Sequence, residues 1–570
     1  MSKTETPQLG QWRYLFVLLV ILMVGIFLAY RALNIQVLDN EFLKIQGDAR
    51  HLRTIDLPAH RGMILDRNNE VLAVSTPVAS VWANPKTVPL EHENLKQLAK
   101  LIDQPVGDVR QLLKTKISKG FVYLQRRINP EVATEIRSLD IPGVSILKEF
   151  RRYYPMGEVA AHVVGFTNID DVGLEGIELQ ANTQLRGIPG KDRVVKDRMG
   201  RIIDSINLIR PPNAGDDIKL SIDKRLQYIA YRELKKAVDA HKAKSASLVI
   251  LDAHSGEVMA MVNQPAFNPN NYAVSDIKKY RNLAVTDLIE PGSTIKPFIA
   301  AAALKTRQFS PHTPVSTSPG YMRVGSATIK DVHDYGQLDL SGVIKKSSNV
   351  GISKIALALE KENLWETLSD FGFGEVTNSN FPGEVQGYLP FFGEWKRLTQ
   401  ASLSFGYGVS STPLQLAQSY ALFANGGYLK PASLFRVDET PEGQQVLSEK
   451  VSTSVLNMME AVVSREGTAL KAKIPGYRVA GKTGTIKKLG PQGYLDDKYL
   501  SIFAGIAPVS TPRFVGVVVF DEPSNGDYYG GKVAAPVFSQ VMSEALRLFN
   551  IPPDEGLPSD VQMAKLEGDL

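Results

Sequence analysis

The sequence is organised around one stretch, Glu290-Pro291-Gly292-Ser293-Thr294-Ile295-Lys296-Pro297. Pro291 and Gly292 interrupt whatever precedes them, and the residues after Pro297 are apolar and compatible with a buried helix. A helix that begins near Ser293 would place Lys296 on the same face, within reach of the serine oxygen. A serine hydroxyl is a weak nucleophile that needs a base, and a lysine kept neutral by burial or by nearby positive charge supplies one.

The pattern Ser-x-x-Lys alone is weak, because it also occurs at Ser145/Lys148, Ser221/Lys224 and Ser275/Lys278. Two later motifs single out Ser293. Ser347-Ser348-Asn349 is a Ser-x-Asn, and Lys482-Thr483-Gly484 is the only Lys-Thr-Gly in the chain. The three motifs in this order are the signature of serine acyl-transferases of the penicillin-binding and β-lactamase type.

Length and composition limit the classes of protein to which the chain belongs. At 570 residues it is too long for one ordinary domain, and 44% hydrophobic residues indicate a folded protein. A net charge of +5 without a dense Lys/Arg block gives no sign of nucleic-acid binding. The absence of cysteine excludes disulfides and thiol catalysis, and the scattered histidines do not predict a metal site.

The N-terminal region predicts a membrane anchor. Residues 12–33 are almost continuously apolar, long enough to cross a bilayer, and carry aromatic residues at both ends. A cleaved signal peptide is the alternative, but its apolar core would be shorter and no Ala-x-Ala site follows. The Lys/Arg count on the two sides does not decide the orientation.

We therefore expect five segments: an N-terminal tail (1–11), a transmembrane anchor (12–33), a mixed non-catalytic pedestal (34–215), a catalytic domain (216–550) and a mobile tail (551–570). In the pedestal, helical spacing over residues 91–113 predicts a helix. In the following domain, apolar runs at 247–252 and 258–262, and again at 501–507 and 514–520, predict strands. Strands from both ends with helices between them predict an α+β fold, one antiparallel sheet flanked by helices.

Residues 476–483 match the P-loop pattern G-x-x-x-x-G-K-[ST]. A P-loop needs a strand before it and a helix after it, whereas here Pro475 precedes the match and Gly484, Gly490 and Pro491 follow it. We interpret the segment as an edge strand that carries residues 482–485, in which Gly484 lets a substrate backbone lie close.

These motifs resemble those of class B penicillin-binding proteins, which are peptidoglycan D,D-transpeptidases with a single membrane anchor. The resemblance also rests on Gly406-Tyr407-Gly408-Val409, on Tyr528-Tyr529-Gly530-Gly531 and, in the N-terminal half, on residues 61–67, 152–155 and 173–178. Within this class, three motifs are similar to those of the cell-division (septal, FtsI-type) branch rather than the elongation branch: Glu-Pro-Gly-Ser, Lys-Thr-Gly-Thr and Gly-Tyr-Gly. The middle motif departs from the commoner Ser-Asp-Asn.

The resemblance implies a role for each motif residue. Ser293 would attack the carbonyl between two terminal D-alanines, and Lys296 would take its proton. Ser347 and Lys482 would relay a proton to the leaving D-alanine. Asn349 would bind the peptide, and Thr483, Gly484 and Thr485 would line the substrate strand. The terminal carboxylate would lie against Lys482, Thr483 and Thr485.

The resemblance also implies that residues 1–11 are a cytoplasmic tail, that residues 216–550 are a transpeptidase domain, and which partners and location the protein has. The substrates would be peptidoglycan stem peptides, β-lactams would acylate Ser293, and no metal or organic cofactor is implied. The partners would be a membrane glycan polymerase of the FtsW type, other divisome proteins and membrane lipid. The protein would cross the inner membrane once, with its catalytic domain in the periplasm. Three alternatives stay open: an elongation-type transpeptidase, a membrane-bound β-lactam sensor or hydrolase on the same fold, and a non-enzymatic scaffold.

Overall fold

The computed structural model describes residues 10–38, 40–42, 52–196, 202–271, 277–490 and 493–556. Its first element is the helix Gln11–Leu33, in which no side chain is buried. Within the described residues, Gln11–Val37 is the one helical stretch long and apolar enough to cross a membrane, with a mean hydropathy of 2.5. This helix agrees with the predicted anchor.

Contacts divide the chain into two compact units, and the first contains residues 1–60, 77–151 and 188–214. Besides Gln11–Leu33, its α-helices include Leu95–Leu101, Val106–Thr115 and Pro130–Ser138, and its strands include Leu52–Leu57, Val122–Ile128, Gly190–Lys196 and Ile202–Arg210. The single helix predicted over residues 91–113 is wrong. The chain breaks there because Asp103 has a positive φ and Pro105 caps the second helix.

The second unit contains residues 61–76, 152–187 and 215–570, so two segments assigned to the pedestal group with the catalytic residues. A buried ion network joins these two segments to each other, and strand pairing joins them to the catalytic part of the chain. Glu178, which is fully buried, accepts from Arg61 Nε at 2.7 Å and from Arg152 Nε at 2.6 Å. The strand Ile64–Leu65 pairs in parallel with Ile218–Lys219, and Arg67 pairs with Glu257 at 3.3 Å. A linear boundary at residue 215 therefore does not coincide with the boundary between the compact units.

The second unit is built on a five-stranded sheet with the order Val258–Gln264, Ser245–Asp252, Phe514–Asp521, Gly493–Ala507 and Ala480–Gly490. All neighbouring strands are antiparallel. Helices Lys224–His241 and Gly530–Leu548 pack on each other and on the sheet, as does Pro413–Ala421 on its central strands. The α+β architecture and the four strands predicted from the apolar runs are confirmed. The other helices of eight or more residues in this unit are Lys296–Lys305, Asn349–Ala358, Lys361–Asp370 and Glu449–Val462.

The start of the C-terminal segment packs on the second unit. Asp554 is buried and accepts from the backbone N–H groups of Arg478 at 2.7 Å and Ser510 at 3.0 Å. Tyr477 donates its hydroxyl to the carbonyl of Ile551 at 2.6 Å. The expected start of a mobile tail at residue 551 is therefore too early, and residues 557–570 lie outside the described part of the chain.

Candidate active site

Ser293 lies in a tight turn that leads into a buried helix. The turn Gly292–Ile295 is a 3-10 helix, and the α-helix Lys296–Lys305 follows it directly. The α-helix thus begins three residues later than the sequence indicates, because Gly292 at φ +55° tightens the entry. Tyr420 donates its hydroxyl to the carbonyl of Thr294 at 2.7 Å, which fixes the turn from below.

Two glycines, Gly406 and Gly484, let their backbone segments pack closely against the nucleophile turn, Gly292–Ile295. A Cβ on Gly406 would lie 2.2 Å from the carbonyl oxygen of Gly292. A Cβ on Gly484 would lie 3.1 Å from both Pro291 O and Thr294 Cγ2. The bare face of Gly484 makes room for the nucleophile turn, and its role in letting a substrate backbone lie close stays a prediction.

The amine of Lys296 is fully buried and held by the middle motif. Its Nζ donates to Ser347 O at 2.6 Å and to Asn349 Oδ1 at 2.7 Å, and it lies 3.1 Å from Ser347 Oγ. The first two atoms only accept, whereas a hydroxyl can also donate. A neutral amine with two N–H groups and one lone pair therefore satisfies all three contacts.

Burial also favours that neutral state. It lowers the pKa of Lys296 well below its usual range, the charge of Lys482 lowers it further, and Asp331 opposes the shift. Burial alone lowers the pKa of Lys482 to about 7. Lys482 Nζ donates to Ser347 Oγ at 2.9 Å, so one hydroxyl lies between two amines. This arrangement can pass a proton from one amine to the other.

The middle motif sits at a junction between two helices. Ser347 ends the helix Leu340–Lys346 in the left-handed region at φ +57°, and Ser348 caps the helix Asn349–Ala358 by accepting from Gly351 N at 2.8 Å. Asp331 holds this junction from outside. Its Oδ1 accepts from the backbone N–H groups of Asn349 at 2.5 Å and Val350 at 3.0 Å, and its Oδ2 accepts from Ser348 Oγ at 2.5 Å.

The third motif lies on Ala480–Gly490, which is an edge strand of the sheet, as predicted. The P-loop interpretation fails because a strand follows the lysine where a helix would be needed. Lys482 is fully buried and points toward Ser347, whereas Thr485 Oγ1 accepts from Gly530 N at 3.0 Å. Thr483 Oγ1 lies 2.8 Å from Thr468 Oγ1.

The structure brings Lys296, Ser347, Asn349 and Lys482 into one hydrogen-bonded group. Among the described residues, Ser293 Oγ makes no hydrogen bond within that group, and its half-buried side chain lies three residues before Lys296 in the chain. A serine hydroxyl without a partner can turn toward an incoming carbonyl, and catalytic hydrogen bonds often tighten only when substrate binds. The arrangement suits acyl transfer through Ser293.

Sequence reasoning missed three residues that support this site. Asp331 and Thr468 carry no motif and lie outside every stretch that we quoted. Glu290 lies inside the quoted stretch, but no role was assigned to it. Its Oε1 accepts from Gly408 N at 2.8 Å and from the Tyr494 hydroxyl at 2.9 Å, and burial raises its pKa. Its position directly before Pro291 was the only available signal.

Comparisons with protein families agree with this geometry. The family model for the penicillin binding protein transpeptidase domain matches residues 246–543, more than half of the chain. The model for the penicillin-binding protein dimerisation domain matches residues 56–220.

Individual relatives are similar over nearly their whole length. The chain is 43% identical over 568 residues to the peptidoglycan D,D-transpeptidase FtsI of Escherichia coli K12, with 97% of this chain and 96% of the relative covered. It is 41% identical to the probable peptidoglycan D,D-transpeptidase PbpC of Pseudomonas aeruginosa, with 96% and 97% covered.

Solved structures share the fold. Penicillin binding protein 3 of Mycobacterium tuberculosis, complexed with aztreonam, is 27% identical, with a TM-score of 0.69 and coverage of 88% of this chain and 99% of that chain. A peptidoglycan synthetase from Bifidobacterium adolescentis is 25% identical, with a TM-score of 0.70 and coverage of 89% and 98%.

Proposed function

This chain belongs to the penicillin-binding protein family of peptidoglycan D,D-transpeptidases, of the FtsI type, and from this premise we propose how its residues cross-link stem peptides at the division septum. One observation supports the assignment above all. Ser347 Oγ lies 3.1 Å from the Lys296 amine and 2.9 Å from the Lys482 amine, and Lys296 directly follows the turn that carries Ser293.

In the acylation step, Ser293 Oγ attacks the carbonyl between the two terminal D-alanines of a donor stem peptide. Neutral Lys296 takes the serine proton as the new ester bond forms. The backbone N–H groups of Ser293 and Thr485 hold the oxyanion, each worth about 3 kcal/mol of transition-state stabilisation. Asn349 Oδ1 already binds Lys296 at 2.7 Å, so the residue that is proposed to bind the peptide also holds the base.

Collapse of the tetrahedral intermediate breaks the peptide bond and releases D-alanine. Ser347 and Lys482 deliver a proton to that leaving amine. The Ser347 hydroxyl lies 3.1 Å from the Lys296 amine, which holds the proton taken from Ser293, and 2.9 Å from the Lys482 amine. The same pair then accepts a proton from the incoming amine of a second stem peptide. Attack of that amine on the ester forms the new peptide bond and breaks the bond to Ser293 Oγ, which regains its proton from Lys296.

The terminal carboxylate of the donor binds Lys482, Thr483 and Thr485. A cation and two hydroxyl donors complement an anion. β-Lactams carry a carboxylate in a comparable place and an acyl carbonyl, so they acylate Ser293 and remain attached.

The covalent step is tested by labelling the full-length protein in membranes with a fluorescent penicillin. Ser293→Ala should abolish the labelled band. Ser145→Ala is the matched control, because Ser145 belongs to another Ser-x-x-Lys pattern in the other compact unit and should label normally. Labelling that persists in Ser293→Ala would overturn the proposed function.

We propose that residues 34–215 form the pedestal and 216–550 the transpeptidase domain, with both on the periplasmic side of the inner membrane. The chain has no cysteine, so single cysteines report topology cleanly. Thr115 is exposed, so a cysteine at that position (Thr115→Cys) should react with a membrane-impermeant maleimide in intact spheroplasts. A cysteine in the first nine residues should react only after the spheroplasts are lysed. The reverse result would overturn the orientation.

A glycan polymerase of the FtsW type and other divisome proteins are proposed partners, and the helix Gln11–Leu33 is the proposed contact within the membrane. All of its side chains are unburied in the structure of the chain alone. Replacing this helix with an unrelated membrane anchor should abolish copurification with the polymerase while penicillin labelling continues. Retained copurification would show that the helix is dispensable for the complex.

A further inference from the structure

Two threonine hydroxyls on the edge strand Ala480–Gly490 each contact a polar group outside that strand. Thr485 Oγ1 accepts from the backbone N–H of Gly530 at 3.0 Å. Thr483 Oγ1 lies 2.8 Å from the hydroxyl oxygen of Thr468. Both threonines belong to the motif that faces the proposed carboxylate subsite, whereas Thr468 lies in the loop after the helix Glu449–Val462 and belongs to no motif.

These contacts decide what each hydroxyl can offer to a ligand. A hydroxyl has one proton to donate and two lone pairs to accept with. A backbone N–H can only donate, so the proton of Thr485 is left for another acceptor. Thr483 reaches the same state if Thr468 donates to it, and a hydroxyl that accepts one hydrogen bond becomes a better donor in the next.

The position of Thr468 is fixed by its neighbours. Lys346 Nζ donates to the carbonyl of Glu466 at 3.0 Å, and Lys345 pairs with the Glu466 carboxylate at 2.6 Å. On the other side, a Cβ on Gly531 would lie 2.3 Å from the carbonyl oxygen of Thr468, so the loop packs directly on the start of the helix Gly530–Leu548. The hydroxyl of Thr468 is therefore held against Thr483.

We propose that Thr468 is a positioning residue for the terminal carboxylate of the substrate. Its hydroxyl donates to Thr483 Oγ1 and turns the proton of Thr483 toward the carboxylate, as the N–H of Gly530 does for Thr485. The site then presents two oriented hydroxyl donors and the Lys482 cation to an anion, and it discriminates against the same ligand in neutral form. The inference rests on the proposed function, since it assumes that the carboxylate binds at residues 482–485.

The experiment compares acylation of the full-length protein by benzylpenicillin and by its methyl ester, which lacks the negative charge. The second-order rate constants are followed by intact-protein mass spectrometry. Thr468→Val should slow acylation by the acid about tenfold, the loss expected when one hydrogen bond to a charged group is misdirected. It should change acylation by the ester less than twofold, and Thr468→Ser should restore the rate with the acid.

Controls separate this role from a loss of folding or of the proposed function. Thr134→Val makes the same substitution in the other compact unit and should leave both rates unchanged. Equal slowing of acid and ester, or no change with the acid, would overturn the role of Thr468. Labelling of Ser293→Ala by fluorescent penicillin would instead overturn the proposed function, so the two failures are distinguishable.

Discussion

Removing the carboxylate of Asp331 should disable the site without touching a motif residue. In Asp331→Ala, the N–H groups of Asn349 and Val350 lose their acceptor at the first turn of the helix Asn349–Ala358. Ser348 also loses the acceptor of its hydroxyl proton. Asn349 then no longer holds the Lys296 amine in a fixed place, because the backbone that carries it is released.

The magnitude follows from these bonds. Losing a side chain that caps a helix N-terminus costs about 2 kcal/mol of folding free energy at the upper end of measured cases. The acylation rate should fall by more than the loss of folding free energy alone would cause, since a shift of about 1 Å in a positioned group lowers the rate about 100-fold. We therefore expect acylation by benzylpenicillin to fall about 100-fold.

Asp331→Asn sharpens the test. Its amide oxygen can still accept from Asn349 and Val350, which both bond to Oδ1, but its NH2 group replaces the oxygen that accepts from Ser348. It should lose about tenfold, the effect of one hydrogen bond to a charged group. Loss of the negative charge also lowers the pKa of Lys296 further, which moves the acidic limb of the pH profile to lower pH.

Stopped-flow acylation and thermal unfolding should be measured together over this series. Asp334→Ala is the control, since Asp334 is an exposed carboxylate that accepts from Ser318 Oγ and Gly336 N in the same region. It should acylate at the wild-type rate. If Asp331→Ala and Asp331→Asn also acylate at that rate, Asp331 does not hold the middle motif and the reasoning is refuted.

Three further outcomes are expected. Lys482→Met should flatten the pH dependence of stability. The folded-state pKa of about 7 lies below the unfolded value of 10.5, so the wild type gains about 1.4 kcal/mol per pH unit from this group between these two pH values and nothing above them. Chemical denaturation over this pH range measures the difference. Gly406→Ala should slow penicillin acylation severely, because the new Cβ meets Gly292 at 2.2 Å, whereas Gly107→Ala, which meets open space, should not. Glu178→Gln should lower the free energy of unfolding by about 3–5 kcal/mol by leaving buried guanidinium groups without a counter-charge, and a urea midpoint equal to that of wild type would contradict this.

Much of the fold could be predicted because its signals are local. The alternating and continuous apolar runs predicted the strands Ser245–Asp252, Val258–Gln264 and Phe514–Asp521, since side chains alternate within a strand and buried strands are apolar on both faces. Prediction failed over residues 91–113, where helical spacing continues through a break made by a positive φ and a proline. Periodicity does not detect the backbone conformation of a single residue.

The sequence by itself determined the order of the three motifs and hence the chemistry that Ser293, Ser347 and Lys482 suit. Only the tertiary structure decided that Ser347 lies between two buried amines, although Lys482 is 135 residues away from it along the chain. It also decided that Asp331 and Thr468 support the site and that residues 61–76 group with the catalytic unit. The reason is physical: burial and pairing of charges depend on which distant segments meet, and no local pattern records those meetings.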